Sequence, residues 1–389
     1  MTRPLHIWFI ARSLPGHFTG GLERMTWLTA RGLAARGHRL DVVTTSLPAG
    51  AEPDLPPGMR LHALPTPPGR HSREFRRELP AWAAAQSERP DLLLSISSAA
   101  APLLARSPWS ELPSVLQFHG SFWTGALSKL AVGDPRWPYN VWQHLDFERD
   151  ALRSADRLVS VGPALTAALS RFPLAFVDPA RVVEIPNALD EDEVAAAAAL
   201  DREALRRELD VPPGGKLVLS ACRLQRQKGV HGLLRAWEGL EGREGRRLLV
   251  AGTGPQEAAL RRRAEERRLD GVRFLGGLPH GEVLRLVRAA DLLVQAGRGR
   301  EGLPLTILEA LALGVPVLKS SHILVPDEDA EPGIVSVDPR RVESLRAGLE
   351  EALALPAPDA EVARRSRDRY STGTMLDDYE ALFAELLAG

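Results

Sequence analysis

Short apolar runs alternate along the chain with longer stretches whose apolar residues recur every three or four positions. Leu5 to Ile10 is the first run, and its length suits one buried strand. Gly21 to Ala35 follows with the helical period, Leu22, Met25, Leu28 (with Thr29) and Leu33 forming its apolar stripe and Gly37 closing it. Leu40 to Thr44 is again strand-like, which makes an opening β-α-β unit. The same pattern predicts strands at Asp91–Ile96, Ser114–Phe118, Arg157–Val161 and Val182–Ile185, with a helix at Pro163–Leu169. Short helices over Ala195–Ala199 and Glu203–Leu209 lead to the loop Pro212-Pro-Gly-Gly215, where the alternation restarts. Strands are then expected at Leu217–Ala221, Arg247–Ala251, Asp291–Val294 and Val315–Leu318, the loop Val272-Arg-Phe-Leu-Gly276-Gly277 leads through Pro279-His280 to a helix, and a last helix is expected at Met375–Leu387. Strands that alternate with helices imply an α/β architecture with parallel sheets.

Two loops in this pattern carry chemistry. The run Asp291–Val294 is followed by a Gly/Arg loop and then by Arg300-Glu-Gly-Leu-Pro304, where Pro304 suits the first turn of a helix. Leu305, Leu308 and Ala312 keep the helical period, and Gly314 ends it. A helix start at a strand's carboxyl end offers free N–H groups and partial positive charge to a phosphate. Glu301 before that helix and Glu309 within it could accept hydrogen bonds from sugar hydroxyls on either side, or could simply cap the helix and face water. In the second loop, Arg223 and Lys228 leave the strand Leu217–Ala221 and enter a helix, a pair able to clamp a pyrophosphate. A basic loop is otherwise ordinary surface.

Composition narrows the field. A length of 389 residues suits two domains, each with its own core. The net charge of −1 gives no global case for nucleic acid. Cys222 is the only cysteine, which excludes an internal disulfide and fits a reducing compartment. The apolar run His6–Ile10 is too short for a secretory leader, and no run approaches a membrane span, so a cytoplasmic protein is expected. The first strand–helix loop, Pro15-Gly-His-Phe-Thr-Gly20-Gly21, is not the dinucleotide fingerprint, which argues against a nicotinamide-linked oxidoreductase. No H-E-x-x-H or paired C-x-x-C spacing occurs, and no metal or cofactor is expected.

Glu301-Gly-Leu-Pro through Glu309-Ala-Leu-Ala-Leu-Gly-Val-Pro-Val resembles the E-x7-E signature of retaining glycosyltransferases of family 4. Four further motifs resemble that family in order: Gly20-Gly21-x-Glu23, His119 after a strand, Pro186-Asn187-Ala188-Leu189-Asp190, and Arg223-Leu-x-x-x-Lys228-Gly229. The resemblance implies a GT-B fold, two Rossmann-like domains whose parallel sheets face a central cleft. Residues 1–188 would bind the acceptor and residues 189–371 the nucleotide-sugar donor, while the helix in 372–389 would return to the first domain. It further implies that Gly20, Gly21, Asn187, Gly277, Gly302, Leu303 and Pro304 line the donor site with Arg223, Lys228, Glu301 and Glu309. Arg223 and Lys228 would stabilise the departing nucleoside diphosphate without a metal, Glu301 would hold the donor sugar, Glu309 the ribose, and His119 would orient the sugar. The implied reaction moves a hexose-type sugar, with retention, from a UDP- or GDP-sugar to a hydroxyl acceptor in glycan or glycolipid synthesis. An epimerase, a phosphorylase and an inactive nucleotide-sugar binder are the alternatives.

Some features depart from the family or stand outside it. Ala188 replaces a glycine, no Pro-Ser precedes Glu301, and Ser320-Ser-His-Ile-Leu stands where the family often has a glycine pair. Asp327-Glu-Asp329 mimics a metal-binding triplet but is read as solvated. Arg70 to Arg77 is either a solvated helix face or an arm for anionic lipid. Seven of the eight tryptophans precede residue 150, including Trp123, Trp137 and Trp142, as core or as stacking surface.

Overall fold

The computed structural model describes residues 3–18, 20–70, 72–120, 148–171, 174–242, 245–299, 302–326, 333–358 and 360–388. Glu301, Asp327-Glu-Asp329 and the aromatic segment with Trp123, Trp137 and Trp142 lie outside these residues. Two compact units emerge, 1–187 with 372–389, and 188–371. Each is an α/β unit built on one parallel sheet.

The first sheet has seven strands: β1 His6–Ile10, β2 Arg39–Thr44, β3 Met59–Ala63, β4 Leu92–Ile96, β5 Ser114–Phe118, β6 Arg157–Ser160 and β7 Val182–Glu184. Their order is β3-β2-β1-β4-β5-β6-β7. Parallel pairing sets Ile7 beside both Leu40 and Leu92. Strands covered on both faces need no polar alternation, and β4 and β5 are buried at every position. Strand β3 is absent from the periodicity because it is an edge: of Met-Arg-Leu-His-Ala only Met59 is buried.

The helix Gly21–Ala35 has the predicted bounds but a rotated stripe. Met25, Thr26, Thr29, Ala30 and Leu33 face inward, while Leu22 and Leu28 are half-buried. The last helix, Thr372–Ala388, packs on Gly21–Ala35 with Met375, Leu376 and Tyr379 buried. Gly32 lets it approach, since a Cβ there would meet Leu376 at 2.6 Å. Arg36 fixes the register by donating to Asp377 Oδ1 (2.5 Å), Glu380 Oε2 (2.7 Å) and Gly373 O (2.9 Å). His38 Nδ1 accepts from the Leu5 N–H, so its Nε2–H is the one that reaches Glu380 at 3.0 Å.

The second sheet has six strands: β8 Lys216–Ala221, β9 Arg246–Ala251, β10 Val272–Gly276, β11 Leu292–Gln295, β12 Val317–Ser320 and β13 Ile334–Val337, in the order β10-β9-β8-β11-β12-β13. Two boundaries differ from the sequence expectation. Pro304 is the cap residue, with ψ 134°, and the helix is Leu305–Ala312. Val315 still closes that helix, its N–H donating to Ala310 O at 2.8 Å, so β12 begins at Val317. Strand β13, short and half exposed, was not anticipated.

In both sheets the order reverses beside the first strand, between β1 and β4 and between β8 and β11. Loops leaving the carboxyl ends of such neighbours diverge and leave a crevice for ligands.

Candidate functional site

In the second unit, backbone contacts sew together the loops that leave β8, β9, β10 and β11. The loop after β8 runs from Cys222 through a 3-10 turn, Arg226–Lys228, to Gly229, which caps the helix Val230–Glu238 at φ 73°. A Cβ on Gly229 would lie 1.9 Å from Ala296 O, so only glycine lets this loop touch the one after β11. Arg298 N–H then donates to Gln227 O at 2.7 Å. On the other side, a Cβ on Gly252 would lie 2.0 Å from Cys222 O, and Leu224 N–H donates to Thr253 O at 2.8 Å. Gly252 N–H in turn reaches Gly276 O at 2.7 Å, and Gly277 lies against Thr253.

Gln295, which the sequence reading passed over, ties β11 to its neighbours. Its Nε2 donates to Ala221 O at the end of β8 (3.0 Å) and to Thr306 Oγ1 in the next helix (2.7 Å). A polar residue closing an apolar strand was its signal. Arg223 is exposed and Lys228 half-buried on this array. Gly302 and Pro304 are half-buried, and Leu303 is buried as the anchor of the segment before the helix.

Glu309 is not a solvated side chain: it is 4% exposed. Its Oε1 lies 3.0 Å from His280 Nε2, and its Oε2 is buried with no hydrogen-bond partner among the described residues. His280 opens the helix His280–Ala289, just beyond the β10 loop, and also lies 3.5 Å from Glu193 Oε2. In the stretch that lacks the glycine pair, Lys319 is buried and donates to Ile323 O (2.8 Å) and Ser336 Oγ (2.6 Å). The turn after β12 is thus braced by a buried ammonium where the resemblance implies bare glycine backbone.

The first unit holds its loops with side chains. Ser13 Oγ–H donates to Glu23 Oε1 at 2.8 Å, and Glu23 is buried. Gly20 leaves room for the Glu23 carboxylate, since a Cβ there would lie 2.6 Å from Glu23 Oε2. Burial pushes the Arg12 guanidinium below its usual pKa, with Glu23 opposing that shift. His17 Nδ1 accepts from Leu14 N–H, leaving its Nε2–H to donate to Ser46 O at 2.9 Å. Thr45 Oγ1–H donates to Arg12 O at 2.9 Å and accepts from Gly69 N–H at 2.7 Å. At the switch point itself Ser97 sits at φ 52°, an uncommon backbone for a non-glycine residue.

His119 follows β5, and burial lowers its pKa to about 4, so the ring is neutral at pH 7. Its Nε2 is buried without a partner among the described residues. Gly20, Gly21 and His119 thus all stand at carboxyl ends of the first sheet. Asn187, buried, is the last residue of the first unit's main segment, and Ala188 opens the second.

A cavity of about 520 Å³ in the second unit lies at the opposite, amino ends of β8, β11 and β12, against Lys216, Asp291 and Pro316. It is separate from the loop array. Among the described residues no group of three or more His, Cys, Asp or Glu is arranged to hold a metal ion, and no helix is long and apolar enough to cross a membrane.

Two family models together match most of the chain. Residues 19–193 match Glycosyltransferase Family 4, and residues 201–369 match Glycosyl transferases group 1. Among curated relatives, the glycogen synthase of Mycobacterium tuberculosis is 27% identical over 95% of this chain and 91% of its own. A GDP-mannose-dependent monoacylated alpha-(1-6)-phosphatidylinositol monomannoside mannosyltransferase of Corynebacterium glutamicum is 28% identical over 58% of this chain and 61% of its own. Among solved structures, sucrose-phosphate synthase from Thermosynechococcus elongatus superposes with a TM-score of 0.76 at 20% identity, covering 100% of both chains.

Proposed function

The chain belongs to the family 4 glycosyltransferases, with the GT-B fold, and on that premise we propose that it moves a hexose-type sugar from a UDP- or GDP-sugar to a hydroxyl acceptor with retention of anomeric configuration. The observation that carries this reading is the sewn loop array of the second unit. There the loop carrying Arg223 and Lys228 leaves β8, Gln295 ties the end of β8 to Thr306 in the helix Leu305–Ala312, and the Glu309 carboxylate is buried in that helix.

Each part has a role in such a transfer. As the bond from the sugar's anomeric carbon to the β-phosphate oxygen breaks, negative charge grows on the leaving diphosphate. Arg223, Lys228 and backbone N–H groups at the helix start stabilise that charge in a fixed, preorganised geometry. Glu301 holds hydroxyls of the donor sugar and Glu309 the ribose, so the reacting carbon is positioned. The acceptor hydroxyl attacks on the face the leaving group vacates and passes its proton to the departing β-phosphate oxygen. His119, neutral at pH 7, orients the sugar by hydrogen bonding. Gly20 and Gly21 bring helix-start N–H groups toward the distal phosphate. No metal cofactor takes part in this account.

The test is transfer, with the product's anomeric configuration read by NMR. An α-linked donor should give an α-linked product, in the presence of EDTA as well as in its absence. A β-linked product, or activity abolished by EDTA and restored by a divalent ion, contradicts the mechanism.

The acceptor side supports a glycan or glycolipid role at a cytoplasmic membrane surface. The mannosyltransferase relative is named for a phosphatidylinositol acceptor. The helix Arg73–Ala84 buries Phe75 and Leu79 and leaves Arg73 and Arg77 exposed, with Arg77 near its neighbour Glu78. A basic face gains about 1 kcal/mol per cation at an anionic surface, and salt screens that gain. Sedimentation with anionic liposomes should therefore be strong at low salt and weak at high salt. Protein left in the supernatant at both would return these arginines to an ordinary solvated face.

A further inference from the structure

The loop array contains one polar group whose environment the proposed chemistry does not yet explain. A carboxylate is an acceptor only, and burying one of its oxygens without a donor is costly. Glu309 carries that cost on Oε2 while its Oε1 is held at 3.0 Å by His280. The arrangement is asymmetric by construction. His280 is the first residue of its helix, directly after the capping Pro279, and that helix packs on both Leu305–Ala312 and the helix Glu191–Ala198. Glu193, on that second helix, stands 3.5 Å from the same imidazole nitrogen but is 39% exposed, so it is the solvated and weaker partner.

We propose that His280 is a positioning residue of the nucleotide site: its imidazole occupies one oxygen of Glu309, so that the other oxygen is the one presented to a ribose hydroxyl. This rests on the nucleotide-sugar reading above and deepens it. Without His280 both oxygens of Glu309 would be free to rotate, and a bound hydroxyl would meet a carboxylate of undefined orientation. With it, one hydroxyl of a ligand satisfies the single unpartnered acceptor. The ligand class that satisfies the array is anionic at one end, for Arg223 and Lys228, and hydroxylated at the other, for Glu309. A ribonucleoside diphosphate has both ends.

The expected signature is loss of discrimination, because a residue that only stabilised the helix start would weaken all nucleotides equally. The experiment is calorimetric titration of the full chain with UDP, GDP and ADP, then with the 2′-deoxy and 3′-deoxy forms of whichever binds. The wild type should prefer the ribose form over one deoxy form by on the order of tenfold or more, as expected for a hydrogen bond to a charged acceptor. His280→Ala should bind the ribose form on the order of tenfold more weakly and discriminate less than about twofold. His280→Gln, whose amide can still donate to Oε1, should recover part of both, and it serves as the test variant if His280→Ala does not fold.

Outcomes separate the two readings. Undiminished discrimination in both folded variants overturns the role of His280 while leaving the nucleotide site intact. A wild type that binds a nucleotide but ignores its 2′ and 3′ hydroxyls does the same. A wild type that binds none of the three nucleotides overturns the functional reading itself, and the positioning role with it.

Discussion

The two units share one strand order over six strands, yet they hold the loops at the carboxyl ends of their sheets by different means. In the second unit backbone meets backbone. Gly229 lies against Ala296 O and Gly252 against Cys222 O, where no side chain fits, and main-chain hydrogen bonds then join the loops. In the first unit Gly20 lies under the Glu23 carboxylate and Gly69 under the Phe18 ring, while Gly16 meets the carbonyl of Ala51. Hydroxyl and imidazole bonds from Ser13, His17 and Thr45 complete those loops. On the proposed function, a backbone-sewn array would fix where a phosphate stands, which suits recognition of a constant nucleotide. A side-chain array can change with few substitutions, which suits the partner that varies.

This contrast predicts a graded response to adding one carbon. Gly229→Ala should do the most damage: its Cβ would overlap a carbonyl oxygen at 1.9 Å, and its φ of 73° is already unfavourable for alanine. A loss of about 3 kcal/mol or more is expected, seen as a collapsed melting transition of the second unit or as insoluble protein. Melting within a degree or two of wild type would show that the loops are not sewn as described.

Next in size is a polar tie of the first unit. Asp41 accepts from His6 Nε2 at 2.6 Å and His62 Nε2 at 2.8 Å. Burial alone would raise its pKa, but the bonds from His62 and His6 outweigh burial and bring it down to about 2. A folded pKa below the unfolded one stabilises above pH 4 and loses that stabilisation as pH falls toward 2, so the window is roughly pH 4 to 2. Asp41→Asn should cost about 2 kcal/mol at pH 7, and its melting curve should converge on the wild type's as pH approaches 2. An unchanged gap at low pH would assign the loss to packing in the sheet beside Trp8 instead.

Gly20→Ala should be mildest. The atom it meets, Glu23 Oε2 at 2.6 Å, is the far end of a flexible side chain that can swing aside. The cost is the Ser13 bond, about 1 kcal/mol, so Tm should shift by only a few degrees. Any loss comparable to Gly229→Ala would erase the proposed difference between the units.

The same contrast explains what the sequence made visible. Backbone-sewn loops require glycine at fixed places, so Arg223-Leu-x-x-x-Lys228-Gly229 stood out as a motif. Fully buried strands such as β4 and β8 announced themselves as apolar runs. Edge strands β3 and β13 did not, since half their positions face outward. The stripe of Gly21–Ala35 was misplaced because Thr26 joins Thr29 on the buried face, returning its hydroxyl to Leu22 O at 2.8 Å. His280 and Gln295 act through partners distant in sequence, Glu309 and Ala221, which no local pattern exposes. Pro304 fitted the helix start by composition, but only its dihedral angles assign it to the cap.

The central claim is that the sewn loops of the second unit form a nucleotide-sugar site whose charge comes from Arg223 and Lys228. Calorimetric titration with UDP-, GDP- and ADP-sugars tests it most directly, comparing the wild type with Arg223→Ala and Lys228→Ala. The account predicts saturable binding of a UDP- or GDP-sugar by the wild type. Each alanine variant should remain folded, bind more weakly, and turn over on the order of 10²-fold more slowly. Failure of the wild type to bind any donor, or equal binding and turnover by both folded variants, would contradict it.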